Sequence, residues 1–142
     1  MISSRFSVAI HILSLVHINE GKVTSDYIAA SVNTNPAVIR KIMSMLSKAK
    51  LIESRPGITG IKLLRPVAEI TFLDVYNAVE LPEAKDLFTI HQETNLQCPV
   101  GRNIQSALMT PLKAAQLQME QMLARTTVEQ IVNEIEQSEI NS

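Results

Sequence analysis

Apolar residues recur at steps of three and four over the first fifty residues, a spacing that places them on one face of a helix. The first such segment spans residues 6–18. A second follows Gly21 and directs Ile28 and Ala29 inward, and a third begins at Pro36. The inward stripe of the third segment consists of Ile39, Ile42, Met43 and Leu46. The pattern predicts three consecutive helices joined by short polar turns.

The pattern changes after residue 50. Two strand-like runs, 51–54 and 61–64, flank a segment rich in proline and glycine. Such an arrangement predicts a two-stranded hairpin. A fourth helix is then predicted from Thr71, which can cap it, to about residue 80, and a weakly patterned connector follows.

A long helix is predicted from about residue 103 to residue 125, and a last one after Thr126 or Thr127. Pro111 lies inside the long segment, so that helix is either kinked there or restarted. Its apolar residues recur at nearly heptad steps, which favours packing against the same helix of a second chain. The predicted dimer stripe consists of Ile104, Leu108, Leu112, Ala115, Met119 and Met122.

Three helices followed by a hairpin is the order of a winged helix-turn-helix. That motif needs a small residue where its two helices pack closely, and a residue that tolerates left-handed backbone at the turn. Ala29 and Asn33 supply these residues, and Ile39 and Ile42 follow as the apolar positions of the second helix. The spacing therefore predicts a helix-turn-helix rather than an ordinary helical hairpin.

The predicted fold class is mainly α: a winged helix-turn-helix domain with a two-stranded wing over residues 1–80, then a connector and helical dimerisation region over residues 81–142. One cysteine excludes a disulfide framework and a metal site built from several cysteines of one chain. No secretory signal or membrane span is recognisable, so we expect a cytoplasmic protein.

Taken alone, the formal net charge of −1 argues against a nucleic-acid partner. The charge is divided, however: up to Pro66 there are nine basic residues against three acidic ones, a net of +6. From Val67 onward there are four basic residues against eleven acidic ones, a net of −7. The first half therefore has the charge expected of a part that binds an anion.

The outward face of the third helix is the predicted contact with the major groove of double-stranded DNA. Arg40 is the predicted bidentate partner of a guanine, and Lys41 and Lys48 are predicted to neutralise phosphates. Polar residues at the starts of helices and on the wing complete the predicted surface. The predicted DNA-binding residues are Ser25, Thr34, Asn35, Ala37, Arg40, Lys41, Ser44, Lys48, Arg55, Thr59 and Lys62.

The run of residues 51–66, followed by Glu69-Ile70-Thr71 and Asp74-Val75, resembles the wing and the next helix of the Rrf2 family of bacterial winged-helix transcription regulators. The resemblance covers most of the chain, including the Cys98-Pro99 segment. It implies a homodimer built around the long C-terminal helix and binding to partly palindromic promoter sites.

Two departures from the family pattern matter. Ile58 and Thr59 interrupt the usual glycine run of the wing. Members that bind an iron–sulfur cluster use three cysteines, whereas this chain has only Cys98, with Gln92 and Asp86 near the other two positions. We expect no such cluster, no metal and no other cofactor. Metal-ligand spacing is likewise absent from the three histidines, His11, His17 and His91.

We therefore expect a homodimeric, DNA-binding transcription regulator that acts as a repressor and is not an enzyme; its effector is not indicated. Cys98 is either a redox sensor or a small buried hydrophobic residue. One alternative is a winged helix that binds another protein and not DNA, in which case the outward face of the third helix should be apolar or acidic. A thiol enzyme with His91 as the base of Cys98 would need a pocket that joins the two.

Overall fold

The structure, a computed structural model, describes residues 3–54, 60–80 and 87–142. These residues form six α-helices and one two-stranded sheet, which confirms the predicted mainly α class. A short 3-10 turn, Val67–Glu69, precedes the fourth helix. In chain order the elements are α1 (Ser4–Ile18), α2 (Ser25–Val32), α3 (Pro36–Lys48), β1 (Ile52–Glu53), β2 (Lys62–Leu63), α4 (Phe72–Val79), α5 (Pro99–Arg125) and α6 (Val128–Ile140).

Side-chain caps fix the starts of five of these helices. Each capping oxygen accepts a hydrogen bond from a backbone N–H that has no partner inside the helix. At α4 the cap is reciprocal, because Asp74 also accepts from the backbone N–H of Thr71. The five caps are Ser3, Thr24, Asn35, Thr71 and Thr127.

The core lies between α1, the helix-turn-helix, the sheet and α4. All four residues of the predicted α3 stripe are buried. Each large apolar side chain that is fully buried contributes about 1.5–3 kcal/mol to folding. The largest apolar side chains that are fully buried in this core are Ile12, Leu13, Ile28, Ile39, Ile42, Leu46, Leu51, Ile52 and Ile70.

The sheet that carries the wing is shorter than predicted. β1 and β2 pair antiparallel, with Ile52 opposite Leu63 and Glu53 opposite Lys62. The predicted DNA-binding residues Arg55 and Thr59 lie outside the described residues, so their roles stay predictions.

Two glycines meet at the base of the wing. Ile61 donates its backbone N–H to the carbonyl of Gly21 at 2.9 Å, and both Gly21 and Gly60 have positive φ angles, 78° and 98°. A Cβ atom on either glycine would lie 2.6 Å from a backbone oxygen of the opposite segment. Only residues without a side chain allow the loop after α1 to approach the wing this closely.

A buried carboxylate joins the beginning of α1 to the end of α4. Glu80 is 4% exposed, and its Oε1 accepts from the backbone N–H and the hydroxyl of Ser3 at 3.1 and 3.0 Å. Arg5 donates to the carbonyl of Val79 at 3.1 Å, and its guanidinium lies 3.9 Å from Glu80 Oε2. These contacts fix the point at which the chain leaves the winged-helix core.

The long helix α5 is a single element of 27 residues that begins at Pro99, four residues earlier than predicted. It continues through Pro111, so the alternative in which the helix restarts there is wrong. Proline is favoured in the first turn of a helix, which accounts for the earlier start. No residue of α5 is buried in the protomer.

The last helix returns to the winged-helix core. Thr71 and Thr127 form an antiparallel bridge, Phe72 donates to the carbonyl of Thr126 at 2.8 Å, and Val128 donates to that of Ile70 at 2.9 Å. Val128 and Val132 belong to the same core as α1, whereas Ile135, on the face that the apolar pattern predicts, is 44% exposed. The predicted division between residues 1–80 and 81–142 stays a prediction.

Candidate nucleic-acid interface

The turn between α2 and α3 has the geometry of a helix-turn-helix. Ala29 is 4% exposed where the two helices pack, and Asn33 adopts the left-handed conformation with φ 64° and ψ 52°. Thr34 donates to the carbonyl of Ala29 at 3.0 Å and closes the turn. Ile39 and Ile42 are buried. Every position that the spacing argument uses is therefore occupied as predicted.

The predicted outward face of α3 is exposed. Because Ile39, Ile42, Met43 and Leu46 face the core, the residues about half a turn away face solvent. All five residues that the sequence predicts for this face are exposed: Ala37, Arg40, Lys41, Ser44 and Lys48. Val38, at the edge of the face, is exposed as well.

The three cations on α3 have no acidic partner in the part of the chain that the structure describes. The ion pairs there are Arg65 with Asp74, at 3.2 Å, and Arg5 with Glu80. Arg40, Lys41 and Lys48 are exposed and have no carboxylate within 4.0 Å among the described residues. An exposed set of unpaired cations on one helix is the arrangement that releases counterions when it meets phosphate.

The polar residues predicted at the helix starts differ in exposure and in the hydrogen bonds that they make. Asn35 caps α3, and its Oδ1 accepts from Ala37 N at 2.7 Å, which leaves its amide N–H₂ group facing solvent as a donor. Thr34 and Ser25 are half-buried, and Ser25 occupies the first turn of α2, whose cap is Thr24. The free N–H groups of a helix start attract a phosphate oxygen.

Lys62 lies on β2 and is exposed. Its strand position places it at the base of the wing, opposite Glu53. α3 packs against β1. The structure therefore connects Lys62 to the helix-turn-helix through the sheet.

Cys98 occupies the cap position of α5 and is exposed, so the buried alternative is wrong. The backbone N–H groups of Gly101 and Val100 lower the pKa of its thiol, because they stabilise the thiolate. The turn before it is tightly folded: a Cβ atom on Gly101 would collide with the carbonyl oxygen of Asn95. The sequence gives no local signal for that contact, because it depends on how the turn folds back.

Three residues of the predicted dimer stripe are exposed in the protomer, and the other three are partly buried. Leu108 is 39% exposed and Met122 is 59% exposed, and Ala115 is exposed as well. Ile104, Leu112 and Met119 are partly buried.

A family model described as "Rrf2: Iron-dependent Transcriptional regulator" matches residues 2–134. The chain belongs to the Rrf2 family. YwnA of Bacillus subtilis (strain 168), a candidate HTH-type transcriptional regulator, is 44% identical over 135 residues, which cover 95% of this chain and 99% of that protein. The family and these relatives are transcriptional regulators and not enzymes.

Solved structures agree with this membership. The crystal structure of a candidate DNA-binding protein is 41% identical with a TM-score of 0.72, and the match covers 90% of this chain and 98% of that one. CymR, the global cysteine regulator of B. subtilis, is 18% identical with a TM-score of 0.67, covering 94% of this chain and 96% of that one. The likeness to CymR shows a shared fold.

The residues of this Rrf2 protein do not fit an iron–sulfur cluster held by several cysteines, because Cys98 is the only cysteine in the sequence. Within residues 3–54, 60–80 and 87–142, no three histidine, cysteine, aspartate or glutamate residues are grouped to hold a metal ion. Gln92 donates to the carbonyl of Ile90 at 3.0 Å, and Asp86 lies outside the described residues. No helix of the described chain is long and apolar enough to cross a membrane.

Proposed function

We propose that this Rrf2 protein is a sequence-specific DNA-binding repressor that acts as a homodimer in the cytoplasm. The observation that carries the proposal is the exposed cationic face of α3, which makes no ion pair with the described residues, on a helix-turn-helix with the required geometry. A winged helix that binds another protein would present an apolar or acidic face there. Arg40, Lys41 and Lys48 favour DNA instead.

The homodimer is supported by the length and exposure of α5. A helix of 27 residues is about 40 Å long. Its apolar stripe is exposed at Leu108 and Met122, although apolar stripes of this spacing are usually covered by another helix. A two-fold symmetric pair of protomers would place two α3 helices on one side of a DNA duplex, and a dimer that occupies a promoter would exclude polymerase.

Oxidant sensing through Cys98 is the proposed signal. Its exposed thiolate would attack one oxygen of a hydroperoxide: the S–O bond forms, the O–O bond breaks, and the leaving oxygen departs as hydroxide or alkoxide. The thiol is oxidised to a sulfenic acid and the peroxide is reduced. The N–H groups of Gly101 and Val100, which lower the pKa of Cys98, support this role.

Selection of duplexes from a random DNA pool tests the proposed function. The full chain should enrich a partly palindromic sequence, and its affinity should fall steeply with salt because bound lysines and arginines release counterions. Arg40→Ala should relax the preference at one base pair by about 1–3 kcal/mol. Lys48→Ala is the matched control, because loss of a phosphate contact weakens binding to all sequences and leaves the preference intact.

A pool that yields no enriched sequence would contradict sequence-specific binding. An affinity that does not change with salt would contradict DNA as the ligand of α3.

A further inference from the structure

Val38 is an exposed apolar residue in the first turn of α3. Its side chain is 43% exposed, although its neighbour Ile39 is completely buried. All of α3 is described by the structure, and Val38 is the only large hydrophobic residue exposed on it. The N-terminal turns of a recognition helix are those that meet the base edges.

Neither folding nor packing accounts for a valine at this position. Val38 does not belong to the hydrophobic core, nor to the partly buried residues that pack against it. A β-branched side chain also loses rotamer freedom in a helix, so alanine would suit an exposed helix position better.

The helical repeat places Val38 at one edge of the exposed face. With 3.6 residues per turn, Ala37 and Lys41 lie near the centre of that face, and Arg40 lies on the edge opposite Val38. The first two turns of α3 therefore present an apolar group on one edge, a small group at the centre and a guanidinium on the other edge. All of these residues are exposed.

The major groove offers a matching apolar group, the C5 methyl of thymine, which apolar side chains contact when a protein distinguishes thymine from the other bases. We propose that Val38 contacts a thymine methyl group in the major groove and specifies thymine at that position. The inference rests on the proposed DNA-binding role of α3, and it adds a determinant of sequence that is independent of Arg40.

Replacement of thymine by deoxyuridine tests this contact, because it removes the methyl group and changes nothing else in the base pair. Each thymine of an enriched duplex is replaced in turn, and the dissociation constant of the full chain is measured. At one position of each half-site, uracil should weaken binding about fourfold, the size expected for one buried methyl group. Val38→Ala should bind the thymine and uracil duplexes equally well.

Three variants serve as controls for that loss of discrimination. Val38→Thr retains a γ-methyl group and should keep the response to uracil. Arg40→Ala should also keep it, because it removes a contact to a different base. Ile140→Ala replaces an exposed isoleucine at the end of α6, far along the chain from α3, and should behave as the unmodified protein.

The outcomes separate the contact from the function on which it rests. If Val38→Ala discriminates against uracil as strongly as the unmodified chain does, the methyl contact is overturned while DNA binding stands. If no duplex is enriched at all, the proposed function of α3 fails. A uracil response that disappears only in Val38→Ala supports the inference.

Discussion

Neighbouring side chains of α3 differ completely in their burial. Ile39 and Leu46 are fully buried, whereas Arg40 and Lys41 are exposed and make no ion pair with the described residues. Substitutions on the outer face therefore change the surface proposed to contact DNA without removing core contacts. This separation allows the binding effects of single residues to be measured on a folded protein.

Reactivity of Cys98 with peroxide should depend on pH in a defined direction. Because the N–H groups of Gly101 and Val100 lower the pKa of the thiol, the rate of its oxidation should rise with a midpoint below the ordinary pKa of cysteine. The loss of free thiol measured against pH checks this. In urea the helix start is lost, and the midpoint should return to the ordinary value.

The variant Cys98→Ser tests whether oxidation of this thiol causes the release of DNA. Hydrogen peroxide should release DNA from the unmodified chain and leave the complex of the serine variant intact. Release from both proteins would contradict a sensing role for Cys98, and equal midpoints in the folded and unfolded chains would contradict the lowered pKa.

At the scale of elements, local sequence predicts the helix starts well and the contacts between elements poorly. The caps Asn35 and Thr71 follow from side-chain chemistry within three residues, and the left-handed turn at Asn33 does too. The approach of Gly21 to Gly60 joins residues far apart in the chain, so only the end of α1 could be predicted from Gly21. The pairing of β1 with β2 also depends on contacts between distant residues. Each strand therefore has two residues, although each strand-like run in the sequence has four.

The packing of α6 on the winged-helix core likewise could not be predicted from the local sequence. Its apolar face is visible in the sequence, but the periodicity does not tell which surface covers that face. Val128 and Val132 meet the winged-helix core, whereas Ile135 remains exposed. A hydrophobic pattern therefore predicts the presence and orientation of a helix more readily than its partner.

The capping box of α4 is expected to contribute to stability. Asp74 accepts from Thr71 N, and its own N–H donates to Thr71 Oγ1, both at 3.0 Å. Its carboxylate also lies 3.2 Å from Arg65, which follows β2. Asp74→Ala should lower the free energy of unfolding by about 0.5–2 kcal/mol, measured by urea denaturation, because it leaves a helix-start N–H unpaired.

Asp74→Asn separates the cap from the ion pair. The amide oxygen still accepts from Thr71 N, while the charge facing the half-exposed Arg65 is lost. Exposed ion pairs contribute about 0–1 kcal/mol, so the asparagine variant should be closer to the unmodified protein. A larger loss for Asp74→Asn than for Asp74→Ala would contradict the assignment.

At the scale of the whole molecule, the two halves of the chain have opposite charge. The net of +6 up to Pro66 includes the helix-turn-helix, and the net of −7 after it includes α5 and α6. In the proposed complex, the basic part would attract DNA to the helix-turn-helix, while the acidic part would repel it from the rest of the protein. The overall charge of −1 hides this division.

Dissociation of the proposed dimer should follow from one charge in the α5 stripe. Leu108 is 39% exposed in the protomer, so Leu108→Glu should leave the protomer folded. Burying a carboxylate between two helices is costly, and sedimentation equilibrium should therefore give a mass near the 15.7 kDa of one chain. The affinity of the Leu108→Glu variant for a palindromic DNA site should fall as well, because a single protomer contacts one half-site.

Leu117→Glu is the matched control for Leu108→Glu. Leu117 is 53% exposed and lies nine residues along the same helix, on the opposite side. It should retain the mass of a dimer. Two variants with the same mass would contradict the proposed stripe as the interface.

The bridge between Thr71 and Thr127 couples the orientation of α5 to the position of the helix-turn-helix. It fixes the C-terminal end of a helix about 40 Å long to the start of α4, which packs on α3. In the proposed dimer, a change of about 5° in the crossing angle of the two α5 helices would displace the end of one helix relative to its partner by roughly 3.5 Å. That distance is close to the rise of one base pair, about 3.4 Å. A small rotation between protomers would thus shift two recognition helices out of register with their half-sites.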